Sequence, residues 1–188
     1  MAGYGPTTAA SGATVTINGT NFTGATAVKF GGVAAASYTI VSATQITAVV
    51  SSGGASGNVV VMTPGGTGTA SGFTFVPPPA ITSFTPLTAA SGATVTINGT
   101  NFTGATAVSF GGVAAASFTV VSATQITAVV SSSGASGAVS VTTPGGITSG
   151  AAAFTFIPPP TITSFTPTNG GVGATITING TNFGVGVW

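Results

Sequence analysis

The sequence has no aspartate, glutamate, histidine or cysteine, and Lys29 is its single basic side chain in 188 residues. General acid–base catalysis needs a group that titrates near working pH, usually His, Asp or Glu. That chemistry is therefore excluded, and no catalytic residue is assigned. The many Ser and Thr hydroxyls lack a base to activate them as nucleophiles. Zinc and calcium sites are built from Cys, His and carboxylates, so no metal ligand is assigned, and no cofactor is expected. Nucleic-acid affinity comes from several Lys/Arg contacts to phosphate, and one lysine cannot supply them.

Other absences bound the setting. Without cysteine there are no disulfides, and the redox compartment is left open. No window approaches the roughly 18 uninterrupted apolar residues of a membrane helix. Residues 1–10 show no basic stretch followed by an apolar one, so no signal peptide is visible in this chain. The expectation is that a signal was removed or that the chain is a window of a longer protein. Soluble monomers usually stay dispersed through mixed surface charge. A surface of Ser, Thr, Asn and Gln is expected to associate, to carry sugar, or to live in an assembly. Disorder is excluded, because mean hydropathy is +0.66 and disordered chains combine low hydrophobicity with high charge.

What is present is punctuation and repetition. Gly 30 and Pro 11 interrupt a chain that is 43% hydrophobic, the composition of many short strands and turns. The segment SGATVTINGTNF at 11–22 recurs letter for letter at 91–102, and GATITINGTNF begins a third copy at Gly173. Triple prolines at Pro77–Pro79 and Pro158–Pro160 close each unit, as stiff extended spacers rather than flexible tethers. The expected domains are 1–79, with a weak or truncated first strand, 80–160, complete, and 161–188, the opening strands of an incomplete third unit.

Within a unit the period is two. In Thr14–Ile17, Val15 and Ile17 face one way and the threonines the other, as in a half-buried strand. Further strands are expected over 27–30, 37–41, 45–50, 58–62 and 73–76, with counterparts in unit two. Strands at 81–85 and 162–166 open units two and three, and a second strand of unit three is expected over 174–179. Asn-Gly, Gly-Gly and Pro-Gly-Gly are assigned to turns. The fold class is all-β: tandem β-sandwiches of about seven strands each, in an elongated array. The expected core is Val15, Ile17, Phe22, Val28, Phe30, Ile46, Val59, Val61, Phe73 and Phe75. Lys29 becomes Ser109 in unit two and is assigned to the outer face. Tyr38/Phe118 and Ile40/Val120 read as conservative swaps at packed positions.

The run ITSFTP…GATVTINGTNF, followed by AVxFGGVAA, ATQITAVV and TPGG, resembles the IPT/TIG domain. The resemblance covers almost the whole chain. It implies an immunoglobulin-like fold, and the tandem arrangement is similar to bacterial secreted or surface-anchored proteins that use such units as stalks, spacers and adhesive arms. The transcription-factor branch of the family implies basic DNA-contacting loops, which are missing here.

Two sets of residues are singled out. Asn18, Asn21, Asn98, Asn101 and Asn179 match N-glycosylation acceptors, but turn formation by Asn and Gly is the preferred reading. Phe22, Phe102 and Phe183 then plug the sandwich end. Threonine rows are assigned to strand propensity rather than ice binding. Ile162, Phe165, Ile176, Ile178, Phe183 and Trp188 are the candidate assembly residues. A sandwich that stops after two strands exposes unpaired backbone and half a core, so one copy's C-terminal strands are expected to dock on the next copy's first unit. The expected partner is therefore a second copy, head to tail, or neighbouring domains of the same long chain. The expected role is a non-enzymatic structural repeat in a bacterial extracellular fibre, stalk or surface filament. Two other readings stand beside it: an adhesin arm binding a glycan or surface ligand, and accessory spacer domains of a larger secreted protein.

Overall fold

The computed structural model describes residues 1–184, and no helix occurs among them. Unit one contains β1 (Gly3–Gly5), β2 (Thr8–Ala10), β3 (Thr14–Asn18), β4 (Ala27–Phe30), β5 (Val33–Ala34), β6 (Ser37–Ser42), β7 (Gln45–Val49), β8 (Gly57–Thr63) and β9 (Gly66–Val76). Unit two repeats them as β10 (Ala80–Thr85), β11 (Thr88–Ala90), β12 (Thr94–Thr100), β13 (Ala107–Phe110), β14 (Val113–Ala114), β15 (Ser117–Ser122), β16 (Gln125–Val129), β17 (Gly137–Thr143) and β18 (Gly146–Ile157). The third copy contributes β19 (Thr161–Thr166) and β20 (Thr177–Thr181).

Alternation puts each sheet's apolar side inward. In unit one a four-stranded sheet, β1-β3-β7-β6, faces a five-stranded one, β2-β9-β8-β4-β5. Val15, Ile17, Ile46 and Ala48 from the first sheet meet Val28, Phe30, Val59, Val61 and Phe73 from the second in one buried cluster. Unit two has the same orders, β10-β12-β16-β15 and β11-β18-β17-β13-β14, around the same core. Burying each of these large side chains contributes about 1.5–3 kcal/mol relative to exposure. Phe30 stacks on Phe73 and Phe110 on Phe154, each pair 4.8 Å apart and tilted. These are two sandwiches in tandem, as the alternation predicts, and immunoglobulin-like, as the resemblance implies.

The first strand is divided between the sheets. β1 pairs antiparallel with β3, and β2 pairs parallel with β9. Pro6 lies at the crossing, where a residue with no N–H leaves no ladder donor unpaired.

Nine strand segments per unit exceed the expected seven. β2 and β5 are too short to show a period. The first half of β9, Gly66–Gly72, is a run of Gly, Ser, Thr and Ala with no apolar alternation, yet it pairs with β8. The extra residue of unit two is absorbed in a wider bulge. β9 skips from Ala70 to Phe73 opposite Gly57–Val59, whereas β18 skips from Ser149 to Ala153 opposite Ala138–Ser140.

Three expectations need correction. Asn98-Gly99 and Asn179-Gly180 lie inside strands, not turns, because their partners β10 and β19 extend the ladder through both residues. Ile40 is exposed rather than packed, since β6 is an edge strand whose register shifts between Ile40 and Ser42. The second strand of unit three begins at Thr177, three residues later than expected. Among the core residues, Phe75 is half-buried and the others are buried.

Candidate functional site

The third copy places Ile162, Phe165 and Ile178 on the paired strands β19 and β20, with Ile176 just before β20 and Phe183 two residues after it. β19 pairs with β20 in the register that β10 makes with β12, including the same bulge. Even the local bond at the bulge repeats: Thr82 donates to the Asn98 carbonyl and Thr163 to the Asn179 carbonyl, both at 3.1 Å. Burial is what differs. Phe84 is 5% exposed and Ile97 fully buried, while their counterparts Phe165 and Ile178 are 51% and 52% exposed. Ile162, Ile176 and Phe183 are exposed as well. Phe22 and Phe102 are buried at the sandwich end as expected, and Phe183 is not. Trp188 lies outside the described residues.

The five asparagines separate into two groups. Asn18, Asn98 and Asn179 stand at strand positions. Gln45 donates to the Asn18 side-chain oxygen at 3.2 Å, Gln125 does the same to Asn98 at 3.1 Å, and Asn179 donates to Ser164 at 3.1 Å. Asn21 and Asn101 adopt positive φ of 62° and 60°, a conformation Asn tolerates better than most residues. The Asn101 amide donates to the Pro78 carbonyl at 2.8 Å, and Asn182 donates to Pro159 at 3.1 Å.

That bond draws the triproline segment onto the start of the following unit. The Pro77 carbonyl sits against Gly145, so close that a Cβ there would collide with it. Pro79 is buried, and Gly145 and Thr143 are buried beneath the segment. The prolines are thus seated on the unit that follows, beyond the stiff spacers that the sequence predicts. Each Asn lies 23 residues after the proline it holds.

The two tyrosines are engaged within unit one. Tyr4 donates its hydroxyl to the Ser71 carbonyl at 2.8 Å and packs near Phe73, and Tyr38 donates to Ala25 at 3.1 Å. Both phenols are thereby committed within the sandwich. Lys29 lies on the outer face opposite Val60 and Ala34. In unit two the equivalent cross-strand pair is Ser109 and Ser140, whose hydroxyls are 2.6 Å apart. No described helix is long and apolar enough to cross a membrane.

The IPT/TIG domain profile matches residues 3–76 and again 79–156. Among solved structures, the chain is similar to SGBP-B from a complex xyloglucan utilization locus in Bacteroides uniformis, with 20% identity and a TM-score of 0.41, over 78% of this chain and 46% of that one. It is similar to the surface glycan-binding protein PbSGBP-B from Prevotella bryantii, with 18% identity and a TM-score of 0.40, over 79% and 38%. The plexin A4 extracellular region matches at 21% identity and a TM-score of 0.45, over 88% and 16%. The chain spans less than half the length of each of these. No curated protein matches it. With two consecutive profile matches across most of its length, lying on two immunoglobulin-like sandwiches, the chain belongs to the IPT/TIG domain family.

Proposed function

We propose that the chain is a non-enzymatic structural repeat, part of a bacterial extracellular fibre, stalk or surface filament, whose copies join head to tail. The absence of Asp, Glu, His and Cys removes the groups that ordinary acid–base, thiol and metal chemistry require. The cell-surface setting rests on the resemblance of its tandem units to those of bacterial surface proteins.

One observation carries the head-to-tail reading. The β19–β20 hairpin and the residues flanking β20 expose Phe165, Ile176, Ile178 and Phe183, side chains whose counterparts in unit two are buried. An apolar hairpin face of this kind favours a partner over water, and an open strand edge favours backbone pairing. The receiving end is unit one. There β1 supplies only three paired residues to β3, two of them glycine, where β10 supplies five pairs to β12. β19 carries the β10 pattern Ile-Thr-Ser-Phe-Thr. In the proposed contact β19 of one copy takes the place of β1 in the next, a heterologous strand addition that propagates.

Electron microscopy of the purified chain tests this. Filaments with an axial repeat set by one or two units are expected. Compact, monodisperse particles at high concentration would count against it.

A further inference from the structure

The two sandwiches differ at a loop whose Thr-Pro-Gly-Gly sequence they share. In unit two the loop Pro144-Gly145-Gly146 lies under Pro77–Pro79, with Asn101 donating to Pro78. In unit one the equivalent loop, Pro64-Gly65-Gly66, borders an open groove of about 540 Å³ lined also by Thr20, Asn21 and Thr63. Gly65 is exposed where Gly145 is buried, and Thr63 is half-exposed where Thr143 is buried. Asn21 holds the same positive φ as Asn101, so its side-chain amide is carried on the same backbone turn.

We infer that this groove is a socket for a triproline segment of a second copy, Pro158–Pro160, which rests on the head-to-tail reading above. Unit two supplies the template for the occupant. A Pro-Pro-Pro run is preset as an extended polyproline helix and loses little freedom on docking. Its carbonyls have no neighbouring N–H to satisfy them locally, and one accepts from the loop asparagine. Gly65 and Gly66 let the peptide backbone lie directly on the loop, as Gly145 does beneath the Pro77 carbonyl. The order along the chain also fits, because Pro158–Pro160 immediately precedes β19. A β19 placed beside β3 of a second copy brings its prolines to this groove, as Pro77–Pro79 reach their own when β10 lies beside β12. Met1, at the groove's edge, packs on the core of unit one as Ile81 does in unit two.

The test is a titration of the full chain with the blocked peptide Ile-Pro-Pro-Pro-Thr, followed by amide NMR. Saturable shifts are expected at Asn21, Gly65 and Gly66, and none with Ile-Ala-Ala-Ala-Thr. Gly65→Ala should weaken binding at least about tenfold, since a Cβ there stands in the peptide's path. It should leave unit one folded, because that Cβ meets only the Thr63 hydroxyl, at 3.8 Å. Asn21→Asp keeps a residue suited to positive φ, removes the donor, and should weaken binding similarly. No saturable shift up to the peptide's solubility limit, or shifts unaffected by Gly65→Ala, would overturn the socket. Self-association that persists undiminished in Gly65→Ala would overturn it too, while leaving the strand contact standing.

Discussion

The side-chain amide of Asn101 reaches the carbonyl of Pro78 at 2.8 Å, joining a residue of one loop to the segment that precedes its unit. Asn182 holds Pro159 in the same way at 3.1 Å. A stiff segment tied at its carbonyl to the following unit is a fixed joint, whereas an untied one only limits reach. The repeats therefore carry, in each copy, both the spacer and the device that seats it.

Gly145→Ala should unseat the linker. The added Cβ would meet the Pro77 carbonyl, which is backbone and cannot step aside without moving the segment. Unit two should lose about 1–3 kcal/mol, the usual size of an overpacking penalty. Gly65→Ala, at the same position of unit one, should change stability by less than about 0.5 kcal/mol, as expected for a surface substitution. Urea unfolding of the two variants checks the contrast.

Asn101→Asp should cost unit two about 1 kcal/mol, the ordinary net worth of a hydrogen bond. Aspartate also tolerates positive φ, so the backbone turn should survive. Faster amide exchange in residues 80–85, with the core of β16 and β17 unchanged, is the expected signature.

Phe154→Ala and Phe73→Ala remove equivalent fully packed rings from the two cores. Each should destabilise its own unit by about 3–5 kcal/mol. Each should leave the other unit's unfolding midpoint in place, because the two clusters share no residue. Single-substitution unfolding curves followed by unit-specific NMR signals measure both effects.

Stability should be flat with pH through the acid range. Its slope is set by the difference in bound protons between unfolded and folded states. With no Asp, Glu or His, no side-chain carboxylate or imidazole titrates in either state. The unfolding free energy should vary by less than about 0.5 kcal/mol between about pH 4.5 and 7. A steady slope across that window would contradict the inventory-based account.

Strand positions and core were legible where side chains alternate. Thr14–Ile17 and Ala27–Phe30 announce their faces, and comparing Lys29 with Ser109 shows which side is outward. Gly66–Gly72 was not legible, because a strand built from small and polar residues is held by backbone pairing with β8 and leaves no period. Asn98-Gly99 misled for a different reason. The glycine is needed in a strand because the Ala80 carbonyl lies where its Cβ would be, a close approach that local sequence cannot reveal. The groove beside Gly65 was hidden for the same reason, since it becomes visible only by comparing two folded copies of one loop. The two strands of the third copy were better signalled, because 162–166 and 176–179 repeat the apolar pattern of 81–85 and 95–98.

Sedimentation velocity over a wide concentration range is the most direct measurement, comparing the unaltered chain with the double variant Phe165→Thr, Ile178→Thr. Both side chains lie on the β19–β20 hairpin, so the two sandwiches should fold unchanged. The unaltered chain should form progressively larger species as concentration rises, and the variant should remain a monomer. A monomeric unaltered chain, or a variant that associates equally well, would contradict head-to-tail assembly through the third unit.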